Sequence, residues 1–214
     1  MRRFTFVPAV AILVLAAAGQ NAVAKDFSGR IVYGQRYADP KTGSALKELG
    51  GQPLDLQQIY EIDGRNYRAF NEHGRLVQLY RNDENAYYAV WKGEVTKRDA
   101  SQEEPRVLAI RNASETAIVL GRKCRRVDIE TNRGVDTYYF DPAGPRVSAK
   151  AFHRHAFGGW NRYLEAAGGA LPLKMIIRNS VFVATIEATS IADLKFGPDD
   201  FRLESAMRGR TPAK

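Results

Sequence analysis

The chain has 214 residues, a single cysteine and a formal net charge of +8 at pH 7. One cysteine excludes an internal disulfide, and a chain of this length buries enough surface to fold without one. Basic residues are spread through the whole chain, so its electrostatic affinity is for anionic surfaces such as lipid or lipopolysaccharide head groups.

Residues 1–24 read as a secretory signal peptide. Met1-Arg2-Arg3 is a positive start, Phe4 to Gly19 carries no charge, and Ala22-Val23-Ala24 is a small-x-small cleavage site. The apolar run is shorter than the ~20 residues of a spanning helix, and Pro8 interrupts it. No cysteine stands at the cleavage site for lipid attachment. Cleavage after Ala24 therefore predicts a periplasmic or secreted protein that is not lipid-anchored and keeps six of its eight net positive charges. A monomer is expected, with no nucleic-acid partner in that compartment. One domain is expected over residues 25–203, followed by a polar, disordered tail over 204–214.

The domain opens on a half-buried strand, Phe27 to Tyr37, with Ile31, Tyr33 and Tyr37 on one face and Arg30 and Arg36 on the other. Asp39 to Pro53 has turn formers at both ends and reads as a surface loop. A meander follows: Leu56 to Ile62, an Asp63-Gly64 turn, Tyr67 to Phe70, a turn at Glu72-His73-Gly74, Leu76 to Tyr80, and Ala86 to Trp91. Lys92 to Pro105 is charged and poor in apolar residues, which predicts a mobile loop or irregular edge. Val107 to Ile110 and Ala117 to Leu120 are expected as two short strands around a polar turn, Arg111 to Glu115.

The stretch from Gly121 to Arg178 organises the rest. Val127 and Ile129 face inward, Asn132-Arg133-Gly134 turns, and Val135 to Phe140 returns. Strict alternation puts Cys124 on the charged face, whereas a bulge near Arg125 turns it inward; the sequence leaves both open. Trp160, Tyr163 and Leu164 recur at helical spacing between Gly158-Gly159 and Gly168-Gly169, predicting a short helix across the sheet. Leu171 to Arg178 and Val181 to Ile191 form a last hairpin, and Phe196 to Leu203 closes the domain. The expectation is mainly β: a strongly curved antiparallel sheet or half-open β-barrel of about ten strands, with one or two short helices as a lid.

Catalytic motifs are absent: there is no G-x-S-x-G, no H-E-x-x-H and no phosphate-binding glycine loop, so no enzymatic activity and no cofactor are expected. His153 and His155 could share one side of an extended segment, and His73 could supply a third imidazole, the number a zinc site requires. Tyr33, Tyr60, Tyr80, Tyr87, Trp91 and Tyr139 lie on predicted strands, and Trp160 on the predicted helix. In a half-open barrel such residues line either a packed core or an apolar ligand cavity.

The run Leu120 to Thr131 (LGRKCRRVDIET), the Tyr138-Tyr139 return strand, Gly158-Gly159-Trp160-Asn161 and Leu171-Pro172-Leu173-Lys174 resemble an uncharacterised family of secreted bacterial proteins, domain of unknown function forty-four twelve. In broad outline the chain is also similar to the LolA/LolB lipoprotein-carrier superfamily. The resemblance implies a half-barrel around a hydrophobic hollow, with Gly159 to Ala167 as lid, and a hollow that shelters acyl chains. Three readings follow. The first is a non-enzymatic periplasmic carrier or binding module for a lipid or acylated protein. The second is an interaction module that meets another envelope protein, and the third is a metal-dependent activity at His153 and His155.

Overall fold

The computed structural model describes residues 26–209. The expected signal peptide and the last residues of the expected tail lie outside them. Among the described residues no helix is long and apolar enough to cross a membrane.

The strands follow the alternation in the sequence. In chain order they are β1 (Gly29–Ala38), the short β2 (Ala45–Leu46), β3 (Glu48–Leu49) and β4 (Gln52–Pro53), then β5 (Gln57–Ile62), β6 (Tyr67–Asn71), β7 (Leu76–Arg81), β8 (Ala86–Trp91) and β9 (Glu94–Asp99). The second half contributes β10 (Val107–Val119), β11 (Arg122–Thr131), β12 (Gly134–Phe140), β13 (Pro172–Arg178) and β14 (Val183–Asp193). Between β12 and β13 come two single 3-10 turns, Ala149–Phe152 and Phe157–Gly159, and helix α1 (Trp160–Ala166); α2 (Leu203–Met207) follows β14.

Apart from β3 and β4, which pair only with each other, these strands form one antiparallel sheet in the order β10-β11-β12-β13-β14-β1-β5-β6-β7-β8-β9, with β2 beside β1. The fold is mainly β, and the sheet is not closed into a barrel, because β10 and β9 end it without pairing to each other. Two meanders are thus sewn together by β14 against β1, from Gly29 opposite Asp193 to Ala38 opposite Val183. The first strand of the domain consequently lies in the middle of the sheet.

Alternation divides the buried side chains between two faces. On β7, Tyr80 joins the main core with Ile31, Ile62, Val127, Phe152, Tyr163 and Leu164, while its neighbour Leu79 joins a second core with Phe70, Leu76, Tyr88 and Phe201. The main core lies beneath α1 and the 3-10 turns; the second is covered by the segment leading into α2. Residues 204–207, expected to be part of the tail, instead belong to α2, and Ala206 is buried in that second core.

Local differences have local causes. The charged stretch after Trp91 forms a regular hairpin strand, β9, entirely exposed at the sheet edge. Lys92 and Gly93 both take positive φ, 51° and 83°, and make the two-residue turn that matches strand twist. The two short strands expected around Arg111 to Glu115 are one strand, β10. Its pairing with β11 slips between Ala113 and Thr116, so the polar residues form a bulge and not a turn. The reversal falls instead at Leu120-Gly121, with φ of 50° and 73°. Opposite the bulge, Arg125 and Arg126 break the alternation of β11 and Cys124 is fully buried. Burial pushes its thiol pKa up, which disfavours the nucleophilic thiolate.

Candidate functional site

The end of β12 and a break at Asp141 to Pro145 release the chain to cross the sheet and return as β13. Gly158 and Gly159 take φ of 68° and 67°, a left-handed conformation that directs the chain into α1. Two strings of backbone bonds strap this lid down. Ala156 and Phe157 donate to the Ala100 carbonyl at 2.7 and 3.0 Å, and Gly158 donates to the Glu104 carbonyl at 3.0 Å.

Between lid and sheet is a hollow of about 280 Å³. Its walls are Tyr33 of β1, Gln58 and Tyr60 of β5, Tyr67 of β6, Gln78 of β7, Tyr87 of β8, Tyr138 of β12, Pro172 and Met175 of β13, and Ile186 of β14. Phe157, Gly158 and Trp160 close it from above. Side chains from β12 round to β8 meet in one small space, although those strands would lie about 34 Å apart in a flat sheet. The sheet is therefore strongly curled. Among the described residues no Asp, Glu, Lys or Arg lines the hollow.

The rings pack edge to face and stacked. Tyr33 to Tyr60 is 6.4 Å between centroids, Tyr60 to Tyr67 5.2 Å, Tyr67 to Trp160 6.2 Å and Trp160 to Tyr163 5.5 Å. Several polar tips find partners: Tyr33 Oη donates to the Pro172 carbonyl at 2.7 Å, and Tyr87 Oη donates to Gln78 Oε1 at 3.0 Å. Tyr67 Oη lies 2.7 Å from Nε2 of His155. By contrast, Tyr60 Oη and Trp160 Nε1 are buried with no hydrogen-bond partner among the described residues. Burial raises the pKa of Tyr33, Tyr60, Tyr67, Tyr87 and Tyr138, so all five stay neutral hydroxyls in the physiological range.

Of the aromatic residues singled out from the sequence, the structure brings Tyr33, Tyr60, Tyr87 and Trp160 together. Tyr80 lies behind them in the core, where Oη donates to Asn85 Oδ1 at 3.0 Å and the ring sits 4.2 Å from that of His155. Tyr139, half-buried and paired with Arg126 and Lys174, does not line the hollow; its neighbour Tyr138 lines it instead. The physical reason is register, since Tyr138 pairs with Val127 and Met175, which face the main core. Trp91 ends β8 beyond the hollow and is 66% exposed. Tyr67, Tyr138, Phe157 and Met175 were missed; alternation relative to Val127 held the signal for Tyr138.

The three imidazoles do not converge. His155 is 1% exposed inside the aromatic core, and burial lowers its pKa to about 3. His153 is exposed, with Nδ1 2.8 Å from the Lys150 carbonyl. His73 stands with Asp55 and Glu72, their potential ligand atoms within 4.8 Å of one another, and among the described residues this trio includes neither His153 nor His155.

No protein-family model and no curated protein matches the chain. Solved structures similar to it include PNGF-II in a C2 crystal form, at 15% identity and TM-score 0.46, over 86% of this chain and 30% of that one. The chain thus spans less than a third of PNGF-II. A Vibrio parahaemolyticus domain described as an outer membrane lipoprotein-sorting protein is similar at 7% identity and TM-score 0.40, over 85% of this chain and 92% of that one. A LolA superfamily protein from Nitrosomonas europaea is similar at 7% identity and TM-score 0.35, over 84% and 91%.

Proposed function

We propose that the chain is a non-catalytic binding or carrier module, acting in the periplasm or outside the cell, whose hollow takes an apolar or acylated ligand such as a lipid or the acyl chain of a lipoprotein. The observation that carries this reading is the uncharged aromatic hollow beneath the lid, with two buried donors, Tyr60 Oη and Trp160 Nε1, left without partners. A buried donor left unpaired costs about 1–3 kcal/mol, which a ligand acceptor such as an ester or amide carbonyl removes on binding. The volume lies near the lower end of ligand pockets, roughly 300–1,000 Å³, and suits one slender ligand.

Native mass spectrometry of the protein, purified from the periplasm of cells expressing the full chain, tests this directly. A co-purified acyl species on the protein is the expected result. A bare mass, together with no saturable uptake of an added acyl ester, removes the reading.

A second reading, a module that meets another envelope protein, is favoured by β10. It is a thirteen-residue edge strand whose outer end exposes Ile118 at 67%, beside Leu120 at 46%. Crosslinking through Ile118→Cys to one defined envelope protein, with no lipid retained, would select it.

A further inference from the structure

Beyond the hollow, the same structure holds a larger groove of about 830 Å³ of different chemistry. Two rings, Trp91 and Tyr37, border it. Trp91 is the last residue of β8, paired with Glu94 across the Lys92-Gly93 turn, and lies 66% exposed along the groove wall. A second ring, Tyr37, is fixed edge-on by Phe182 at 5.7 Å and by a hydrogen bond to Gln35 Oε1.

The rest of the lining mixes amides with apolar side chains, Pro53, Leu76, Val77 and Val90 among them. Gln35, Gln52, Gln57, Gln58 and Asn71 all border the groove, and Asp55 adds a carboxylate. The amides of Gln57 and Gln58 bond to no protein group among the described residues, so their donors and acceptors remain available to a ligand. Charge is nearly balanced: Arg75 and Lys92 on one side, Asp55 on the other. Such a groove lacks the cationic cradle that a phosphate or a nucleic-acid backbone requires.

We propose that this groove binds a neutral oligosaccharide. A pyranose ring has one apolar C–H face and a rim of hydroxyls, each both donor and acceptor. The exposed indole of Trp91 offers the flat apolar surface for that face. The free primary amides of Gln57 and Gln58, which donate and accept from one group, match the hydroxyl rim, and Asp55, whose Oδ1 already accepts from Asn71 at 3.2 Å, keeps Oδ2 as a further acceptor. An acyl chain would leave these amides unpaired, which separates the groove from the hollow even though Gln58 borders both.

The test is isothermal titration of the full chain, as processed by the expressing cell, with triacetylchitotriose and maltotriose, and with trialanine as the peptide control. Trp91→Ala and Gln57→Ala are measured alongside, each checked for an unchanged thermal midpoint, as their exposed positions allow. The proposal expects saturable binding of at least one sugar, a loss of tenfold or more in Trp91→Ala and a smaller loss in Gln57→Ala. Absence of sugar binding at millimolar concentration overturns it. So does sugar binding that survives Trp91→Ala, or binding of trialanine alone. Tyr138→Ala, which changes the hollow and the core beside it but no residue of the groove, retains sugar affinity once its fold is verified by thermal midpoint, so failure here and failure of the acyl reading are read separately.

Discussion

At the scale of single residues, the hollow contrasts two tyrosines of the same chemistry. Tyr33 spends its hydroxyl on the Pro172 carbonyl, whereas Tyr60 buries its own with no partner. Tyr33→Phe should therefore cost about 1 kcal/mol, and Tyr60→Phe should leave stability unchanged or raise it by a similar amount. Urea unfolding of the ligand-free protein decides this; equal losses for both variants would mean that the Tyr60 hydroxyl is paired. His155 makes a second prediction. Its pKa falls from 6.5 to about 3 in the folded protein because burial penalises the imidazolium. Between those values the unfolded chain binds a proton that the folded chain refuses, so stability rises with pH across this window and is lost on acidification from about pH 6.5. Each unit within the window is worth up to about 1.4 kcal/mol. Unfolding midpoints at pH 7 and 5 should differ less in His155→Gln than in the parent, and an identical difference would refute the assignment.

At the scale of elements, Arg68 of β6 holds the C-terminal segment onto the sheet. Its guanidinium donates to Glu61 at 2.8 Å and to the Asp200 carbonyl, and lies 5.3 Å from the ring of Phe70 and 5.2 Å from that of Phe201. Glu61 is 1% exposed and also meets Arg30 at 2.9 Å. Removing one partner from a buried charge network typically costs about 3–5 kcal/mol, far more than the exposed pairs along β10 and β11. Arg68→Met is accordingly expected to lower the unfolding midpoint and open residues 196–207 to limited proteolysis; unaltered cleavage there would show that the phenylalanines alone hold the segment. Most elements were legible from alternation, and the lid helix from its flanking glycine pairs. The bulge in β10 was not, because Asn112 to Glu115 carry turn chemistry and only pairing with β11 distinguishes a bulge from a turn.

For the whole molecule, a ligand in the hollow stabilises the folded state by mass action, about 2.7 kcal/mol at a hundred times its Kd. A thermal shift with an acyl methyl ester should thus be seen in the parent and in Tyr139→Ala and Trp91→Ala, and should shrink in Tyr138→Ala. A shift that depends on Tyr139 and not on Tyr138 would place the ligand on the opposite face of the sheet. Four of the seven rings of the candidate site were readable in advance: Tyr33, Tyr60 and Tyr87 sit on the inward parity of their strands, and Trp160 sits in the lid helix. Tyr138 and Tyr139 could not be separated, because a one-residue choice of parity on β12 follows from its neighbours β11 and β13.

Read alone, the sequence determined what is local: alternating strands, glycine turns, a short helix between glycine pairs and the absence of any disulfide. These follow from backbone sterics and side-chain period, which act over a few residues. Only the tertiary structure decided that β14 pairs with β1, that the joined sheet curls so that β12 and β8 face one hollow, and that Trp91 stands outside it beside a polar groove. Those outcomes depend on contacts between residues far apart in the chain, and they are set by which curvature buries both faces of β6 and β7 at once.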